Sequence, residues 1–436
     1  MFILHRQPRK TGKPAGKAGK RGGIPRRSFG RAEWLRFLWG FKLTTAGKYL
    51  AGACLLCAVT GSSTLELPIF NVFLGMAALF GAAFLMGAFA RPRVTVSGGL
   101  PEKASAGQPV ACDISLRNAS RRRVHDLSAA FFGLPRALKA TVPAAVIEAL
   151  EPGQAGNVTL EVLPLRRGLH QLPRLRPFST FPFGVLRTGG KPLRSKPLLV
   201  LPNFHPLAEI HVPVNSRYQP GGIALTSNVG ESPEYIGNRE YRPGDPWRHI
   251  DFRSWGRIGR PVVREYQEEY YYRIALVLDT YVPGRRRTPR EGFPGLEAAV
   301  SLSAAIADAL AKGEYIIDIF AAGPELYVFR AGRHIAQFEN VLEILACVDA
   351  CRTNPFDVVT PAVGEELASV STVICVFLDW DATRRDLVRT AIEAGCQAKV
   401  LIVREGETTL PVAGAPTEDI AVYTPQAVRG GGLDSV

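Results

Sequence analysis

The sequence predicts a multidomain chain in which an N-terminal transmembrane helical hairpin leads into a β-sandwich and then an α/β domain. Three observations carry that expectation: a nearly uncharged apolar stretch near the N-terminus, a middle region of short strands split by turns, and a final region of alternating buried strands and helices. With 436 residues and 46% hydrophobic content, the chain can form two or three domains, each burying its own core.

The net charge is +14, and its distribution decides its meaning. Residues 1–48 hold 13 Lys or Arg against the single acid Glu33, a local charge of +12 that leaves only +2 elsewhere. A near-neutral body with a basic tail argues for an anionic membrane surface and against a nucleic-acid face. Residues 1–42 are read as a disordered cytoplasmic tail, the Gly-Lys run from Gly12 to Lys20 being low-complexity sequence.

Between Tyr49 and Ala90 the one charged residue is Glu66. Within residues 43–90 two spans are expected, Leu43 to Thr64 and Leu67 to Ala90, with the break at Glu66 and Pro68. Each approaches the roughly 20 residues that a hydrocarbon core requires. The basic tail before the pair and Arg91-Pro92-Arg93 after it place both flanks in the cytoplasm by positive-inside asymmetry. An uncleaved signal followed by a stop-transfer segment fits less well, since no small-residue cleavage site stands out and the tail before it is unusually long. Cys54 and Cys57 read as helix packing, and the seven cysteines show no disulfide framework.

Residues 91–205 read as a sandwich, with strands Val94 to Ser97, Val110 to Arg117, Leu127 to Phe132, Asn157 to Leu163 and Leu198 to Leu201. Alternation along Ala111–Arg117 and turn signals at Ala106-Gly107-Gln108 and Glu151–Gln154 support antiparallel pairing. Asn157-Val158-Thr159 matches a glycosylation acceptor, which a cytoplasmic body makes meaningless.

Residues 273–425 switch to α/β alternation, followed by a tail over 426–436. Strands are expected at Ile274 to Leu278, Tyr315 to Phe320, Leu326 to Arg330, Thr372 to Leu378 and Ala398 to Val403. Helices are expected at Leu296 to Lys312, Phe338 to Ala350 and Thr383 to Ala394, with Cys347 and Cys351 one helical turn apart in the second. Such alternation gives a mainly parallel sheet covered on both faces, with ligand sites at the carboxyl ends of its strands.

Residues 206–272 hold the densest motif, Arg239-Glu240-Tyr241-Arg242-Pro243-Gly244-Asp245-Pro246-Trp247-Arg248-His249-Ile250-Asp251-Phe252, continued by Arg257–Tyr266. From Arg239 to Glu269 there are seven arginines, six acids and no lysine, interleaved with Tyr241, Trp247, Phe252, Trp255 and Tyr266. One reading is an internal lattice of ion pairs. The other is a docking or ligand site at the domain junction, formed by Arg239, Tyr241, Arg242, Gly244, Asp245, Arg248, Asp251 and Arg257.

This block resembles the signature of domain of unknown function (DUF) family 58, a bacterial family that joins it to a von Willebrand factor type A-like, Rossmann-like domain. Phe252 stands where that family usually has Trp, and Gly256 where it has Ala. Arg166-Arg167-Gly168-Leu169-His170 and Ser179–Leu186 resemble the family's Arg-Gly and Pro-Phe-Gly elements within the sandwich. The resemblance implies a multi-pass protein of the bacterial inner membrane with cytoplasmic soluble domains. It also implies a partner, a MoxR-type AAA+ ATPase, and work as an interaction scaffold in envelope assembly or maturation.

In type A domains a metal-binding Asp-x-Ser-x-Ser follows the first strand of the sheet. Here the sequence is Asp279-Thr280-Tyr281-Val282-Pro283, so both serines are missing. Asp279 and Asp379, with Asp381 beside it, are what remains of such a site, and Asp279 is expected to hydrogen-bond its own loop. No metal or other cofactor is expected. The seven histidines show no ligand spacing, His249 near Asp251 reads as an ordinary contact, and no phosphate-binding loop or nucleophile with its base is evident. The chain is therefore read as a non-enzymatic binding protein; the alternatives are cation-dependent adhesion, or an enzyme with its site at the signature block.

Overall fold

The computed structural model describes residues 31–64, 67–142, 145–213, 234–245, 247–267, 273–284, 287–313, 315–322, 326–331, 335–367 and 370–436. The run Gly12–Lys20, most of the basic tail, Glu66 at the expected helix break, and His5 and His334 lie outside them. The chain divides into two compact units, Met1–Ala88 with Pro182–Arg187, and Phe89–Phe181 with Thr188–Val436.

In the first unit, α1 (Arg31–Phe37) runs into a π-helical turn, Leu38–Lys42. The expected disordered tail therefore stops short of residue 42, since this segment is helical and buries Phe41. Phe37 stacks on Phe41 at 5.4 Å. Next come α2 (Thr45–Thr64) and α3 (Leu67–Phe89). Over Pro68–Phe89, α3 is long and apolar enough to cross a membrane and is only 11% buried, which supports membrane association. α2 has the length, but Lys48 and its Thr- and Ser-rich end leave it less apolar.

The segment Pro182–Arg187 belongs to this unit and grips the start of α2. The Thr44 hydroxyl donates to the carbonyls of Gly184 (2.5 Å) and Val185 (3.0 Å). The Arg187 amide donates to the Lys42 carbonyl at 2.7 Å, and its guanidinium lies 5.7 Å from the Phe41 ring. The Pro-Phe-Gly element thus packs on the helical unit and not within the sandwich, where it was expected.

The second unit begins with β1 (Val94–Gly99), β2 (Lys103–Ser105), β3 (Val110–Asn118), β4 (Val124–Phe131), β5 (Leu138–Val142) and β6 (Ile147–Leu150). It continues with β7 (Ala155–Pro164), β8 (Gly168–His170), β9 (Leu175–Ser179), β10 (Thr188–Gly189) and β11 (Leu198–Leu201). Two antiparallel sheets, ordered β1-β3-β7-β5 and β10-β9-β4-β6, enclose Ile114, Leu116, Leu127, Val158, Leu160 and Leu175. Alternation along β3 puts Cys112, Ile114 and Leu116 inward and leaves Ala111 and Asp113 exposed, as a half-buried strand requires. A third, small sheet joins β2, β11 and β8.

β12 (Glu234–Glu240) and β13 (Val262–Gln267) form an antiparallel pair whose connection holds a short helical turn, Trp247–His249, and α4 (Phe252–Ile258). The α/β part then contains β14 (Arg273–Leu278), α5 (Pro294–Lys312), β15 (Ile316–Ala322), β16 (Leu326–Ala331), α6 (Ile335–Cys347) and α7 (Phe356–Glu366). It ends with β17 (Thr372–Phe377), α8 (Ala382–Glu393), β18 (Gln397–Val403), β19 (Ile420–Tyr423) and α9 (Pro425–Arg429). The sheet order is β16-β15-β14-β17-β18-β19, parallel except for β16 at the edge.

Helices cover both faces of this sheet. Ile274, Leu276 and Leu278 join the core beneath α5 and α6, while Ala275 and Val277 join Val373, Phe377 and Trp380 beneath α7 and α8. α5 passes the same length and composition test as a membrane span, but it is 67% buried and serves as a core helix. α6 ends at Cys347, so Cys351 is not one turn further along a helix; it pairs instead with Tyr281 in an isolated bridge. The five strands and three helices expected from β14 to β18 start within a few residues of those observed, whereas β19 and α9 were not expected. α7 was not expected; Pro355 stands at its N-cap and Pro361 lies inside it.

Arg167 joins sandwich and α/β part within this unit. It is 4% exposed, donates to the carbonyls of Leu345 (3.0 Å) and Val348 (2.8 Å), and pairs with Glu297. Those carbonyls close the C-terminus of α6, where a cation complements the helix dipole. The last residues fold back too: the His211 amide donates to Val436 at 2.8 Å, and Leu433 and Val436 pack on the α5 core.

Candidate functional site

In a doubly wound sheet, ligands bind beyond the carboxyl ends of the strands where the winding reverses, here between β14 and β17. Asp279 follows β14 and is 1% exposed. Its Oδ1 accepts from the Tyr281 amide at 2.8 Å, and its Oδ2 from the Leu378 amide at 2.9 Å. The same Oδ2 accepts from Arg384 Nε (2.9 Å) and Nη2 (2.6 Å).

Arg384 reaches this position because Asp381 caps α8. Asp381 Oδ1 accepts from the Arg384 amide at 3.0 Å, its Oδ2 pairs with Arg384 Nη1, and Thr383 donates its hydroxyl to Oδ1 at 2.8 Å. The guanidinium is 2% exposed and sits 5.0 Å from the Phe356 ring and 5.9 Å from that of Tyr281. Burial pushes the Asp279 carboxyl up, while Arg384 and the two amides act against that shift.

Asp379, after β17, is held by a different arginine. It pairs with Arg404, and accepts from the Thr409 amide (2.9 Å) and hydroxyl (2.6 Å) and the Trp380 amide (2.8 Å). Burial raises its carboxyl, but the Thr409 and Trp380 donors with Arg404 outweigh it, leaving it below the ordinary range. These residues do not fit a divalent cation. Each candidate carboxylate carries a guanidinium, and no cluster of three His, Cys, Asp or Glu occurs among the described residues.

The signature block divides its charged groups into two sets. Asp245 takes a bidentate pair from Arg239, Nη1 to Oδ2 at 2.7 Å and Nη2 to Oδ1 at 2.8 Å, and accepts from the Arg242 amide at 2.8 Å. Gly244, at φ 109°, permits the turn that brings Asp245 back. Asp251 caps α4 through the amides of Arg253 (3.1 Å) and Ser254 (3.3 Å), and accepts from the Ser254 hydroxyl (2.8 Å) and Asn238 Nδ2 (3.2 Å). Arg239 holds the Asp245 carboxyl down at about 2, and Ser254, with the other donors, holds that of Asp251 at about 2.

Arg260 pairs with Glu240 at 2.8 Å, and Arg264 lies 3.6 Å from Asp251. Arg242, Arg248, Arg253 and Arg257 are exposed, and among the described residues none of them has a carboxylate within 4.0 Å. Tyr241 lies 6.5 Å from Trp247, between ring centroids. The nominated set is therefore split: Arg239, Gly244, Asp245 and Asp251 build the block, while Arg242, Arg248 and Arg257 face outward. Sequence reading passed over Arg384 and Arg404, and named Arg167 only within the Arg-Gly element; the one local signal was Arg384 three residues after a capping aspartate.

A doubly wound domain preceded by an arginine-built two-stranded block is the class of protein that fold and site define. Residues 237–419, spanning this block and most of the α/β sheet, match the sequence profile of the family described as "Protein of unknown function DUF58". That match supports the DUF58 resemblance over the segment. No curated protein matches the chain.

Solved structures with similarity include the CARDB domain of a Pyrococcus furiosus protein, with 12% identity over 25% of this chain and 95% of that one and a TM-score of 0.17. The secreted serine protease VesC of Vibrio cholerae matches at 10% identity over 28% of this chain and 25% of its own, TM-score 0.18. A GH20 exo-β-N-acetylglucosaminidase of Vibrio harveyi matches at 8% identity, covering 71% of this chain and 57% of its own, TM-score 0.15. At these TM-scores none of the three bears on fold or activity.

Proposed function

We propose that the chain is a membrane-anchored, non-enzymatic interaction scaffold, its soluble part cytoplasmic and its anchor a helical hairpin in the bacterial inner membrane. The observation that carries this reading is the use made of the carboxylates. Asp245 and Asp251 brace the signature block from within and leave Arg242, Arg248, Arg253 and Arg257 exposed. That is an arrangement for contact, in which both of these carboxylates are engaged by donors of the block. The α/β part is read as von Willebrand type A-like; the sheet order with one antiparallel edge strand supports this, as does the place of Asp279 after the first strand. The anchor is supported by the exposed apolar helix Pro68–Phe89.

The partner that the family resemblance implies is a MoxR-type AAA+ ATPase acting in envelope assembly or maturation. Occupation of Asp279 by Arg384 weighs against cation-dependent adhesion. The test is gentle detergent extraction of the tagged chain from its native membrane, with co-purifying proteins identified for wild type and for Arg248→Ala. An AAA+ ATPase enriched with wild type and depleted with the variant supports the scaffold. Absence of any specific partner from both would overturn it and favour a screen for activity at the signature block.

A further inference from the structure

We propose that the outward face of the signature block, formed by Trp247, Arg248, Phe252, Arg253, Arg257 and Ile258, is a docking surface for an acidic protein segment that carries apolar side chains. The inference deepens the scaffold reading and rests on it, since it names the chemistry that the same block recognises.

Trp247, Phe252 and Ile258 are 75%, 66% and 57% exposed. Single exposed apolar residues are ordinary, but three large ones within residues 247–258, interleaved with arginines, form the mixture found at the centres of binding interfaces. The face is also held in shape before any partner arrives. Asp251 caps the start of α4, Gly259 ends it in the left-handed conformation at φ 73°, and Phe252 stacks on Trp255 at 6.0 Å. Arg253 and Arg257 are four residues apart on this helix and so share a face. Little ordering is left to oppose binding.

Charge selects the partner. The arginines of this face have no carboxylate partner among the described residues, whereas Asp245, Asp251 and Glu240 are engaged by groups within the block. A guanidinium fork fits a placed carboxylate bidentately and stacks on rings, and the block contains no lysine. With seven arginines against six acids, the block as a whole lacks the large positive excess through which polyanionic membranes and nucleic acids are held. Local forks on a balanced background suit discrete carboxylates beside apolar anchors, the pattern of an acidic amphipathic protein segment.

The test uses the full chain in lipid nanodiscs and a fluorescent amphipathic peptide with a Glu face and a Leu face, compared with its Lys-faced counterpart. Anisotropy should show binding of the Glu peptide only. Arg253→Glu combined with Arg257→Glu should weaken it at least about tenfold, and Trp247→Ala should weaken it without changing its salt dependence. Near-ultraviolet circular dichroism serves as the folding control for all variants. Undiminished peptide binding by the charge-reversed chain overturns the surface, as does binding of anionic vesicles or duplex DNA that is tighter than that of the peptide and is lost on the same charge reversal. A co-purifying ATPase that survives charge reversal also overturns the surface while leaving the scaffold intact. Peptide binding by a chain that co-purifies with nothing supports the surface and removes the scaffold.

Discussion

Arg384 donates two of its nitrogens to one oxygen of Asp279, linking the start of α8 to the end of β14 across the point where the sheet reverses its winding. The strand-end carboxylate that could serve a ligand is thereby ligated by a cation the chain itself supplies. Asp381 and the rings of Phe356 and Tyr281 complete the surroundings of the guanidinium. The guanidinium supplies a fixed positive charge at this position.

Removing one member of this buried pair should therefore be worse than removing both. Arg384→Met is expected to destabilise the chain by about 3–5 kcal/mol, because Asp279 is left buried without its counter-charge, and Asp279→Leu added to it should recover part of the loss. Chemical denaturation in detergent measures both. In the wild type, Mg²⁺ should leave the Tm unchanged; a rise that Asp279→Leu abolishes would show that the carboxylate binds metal in spite of Arg384.

Acid should loosen the signature block in a defined window. The folded carboxyls of Asp245 and Asp251 titrate at about 2, below the ordinary 3.8. A depressed folded value means that the stabilisation is fully present above the ordinary value and is lost as pH falls from about 3.8 through about 2. Trp247 and Trp255 lie within the block, so a change in their near-ultraviolet signal over that interval is expected. Asp245→Asn should reduce the pH dependence of that change, and an identical titration would assign it elsewhere.

Arg167→Ala should uncouple the sandwich from the α/β part more than its single charge suggests. The side chain closes two carbonyls at the end of α6 and neutralises Glu297. Loss of about 2–4 kcal/mol is expected, since charged hydrogen bonds in a buried setting are removed together. Limited proteolysis should then cut between residues 202 and 213, where the wild-type chain packs Phe204, Leu207 and Ile210 on the α5 core. Unchanged protection would show that those apolar contacts suffice.

What was legible in the sequence followed from periodicity. Val110–Asn118 alternates and formed a half-buried strand, and Arg273–Leu278 is continuously apolar and formed a central one. Asp279 was found because its place after a buried strand depends on local sequence alone. Its partner Arg384 lies 105 residues away, and no local pattern states which carboxylate an arginine will meet. The same limit hid Arg404 and the contacts of Arg167, and it hid the grip of Pro182–Arg187 on α2, which joins residues about 140 apart. Within the signature block, balance between arginines and acids was visible, but which arginines pair inward depended on the turn at Gly244 and the cap at Asp251.

Gly47 gives the sharpest test of that grip. Replacing glycine by alanine inside a helix normally stabilises it by about 1 kcal/mol, through reduced backbone entropy in the unfolded chain. A Cβ at Gly47, however, would lie 2.2 Å from the Val185 carbonyl oxygen and 3.2 Å from the Leu43 side chain. The obstacle on one side is backbone, so relief requires Pro182–Arg187 to move away, breaking the Thr44 contacts to Gly184 and Val185. Gly47→Ala should accordingly lower the Tm and expose the bond after Arg187 to trypsin, while Gly52→Ala, with open space around it, should do neither. A neutral or stabilising Gly47→Ala would mean that the segment does not rest on α2 in the folded protein.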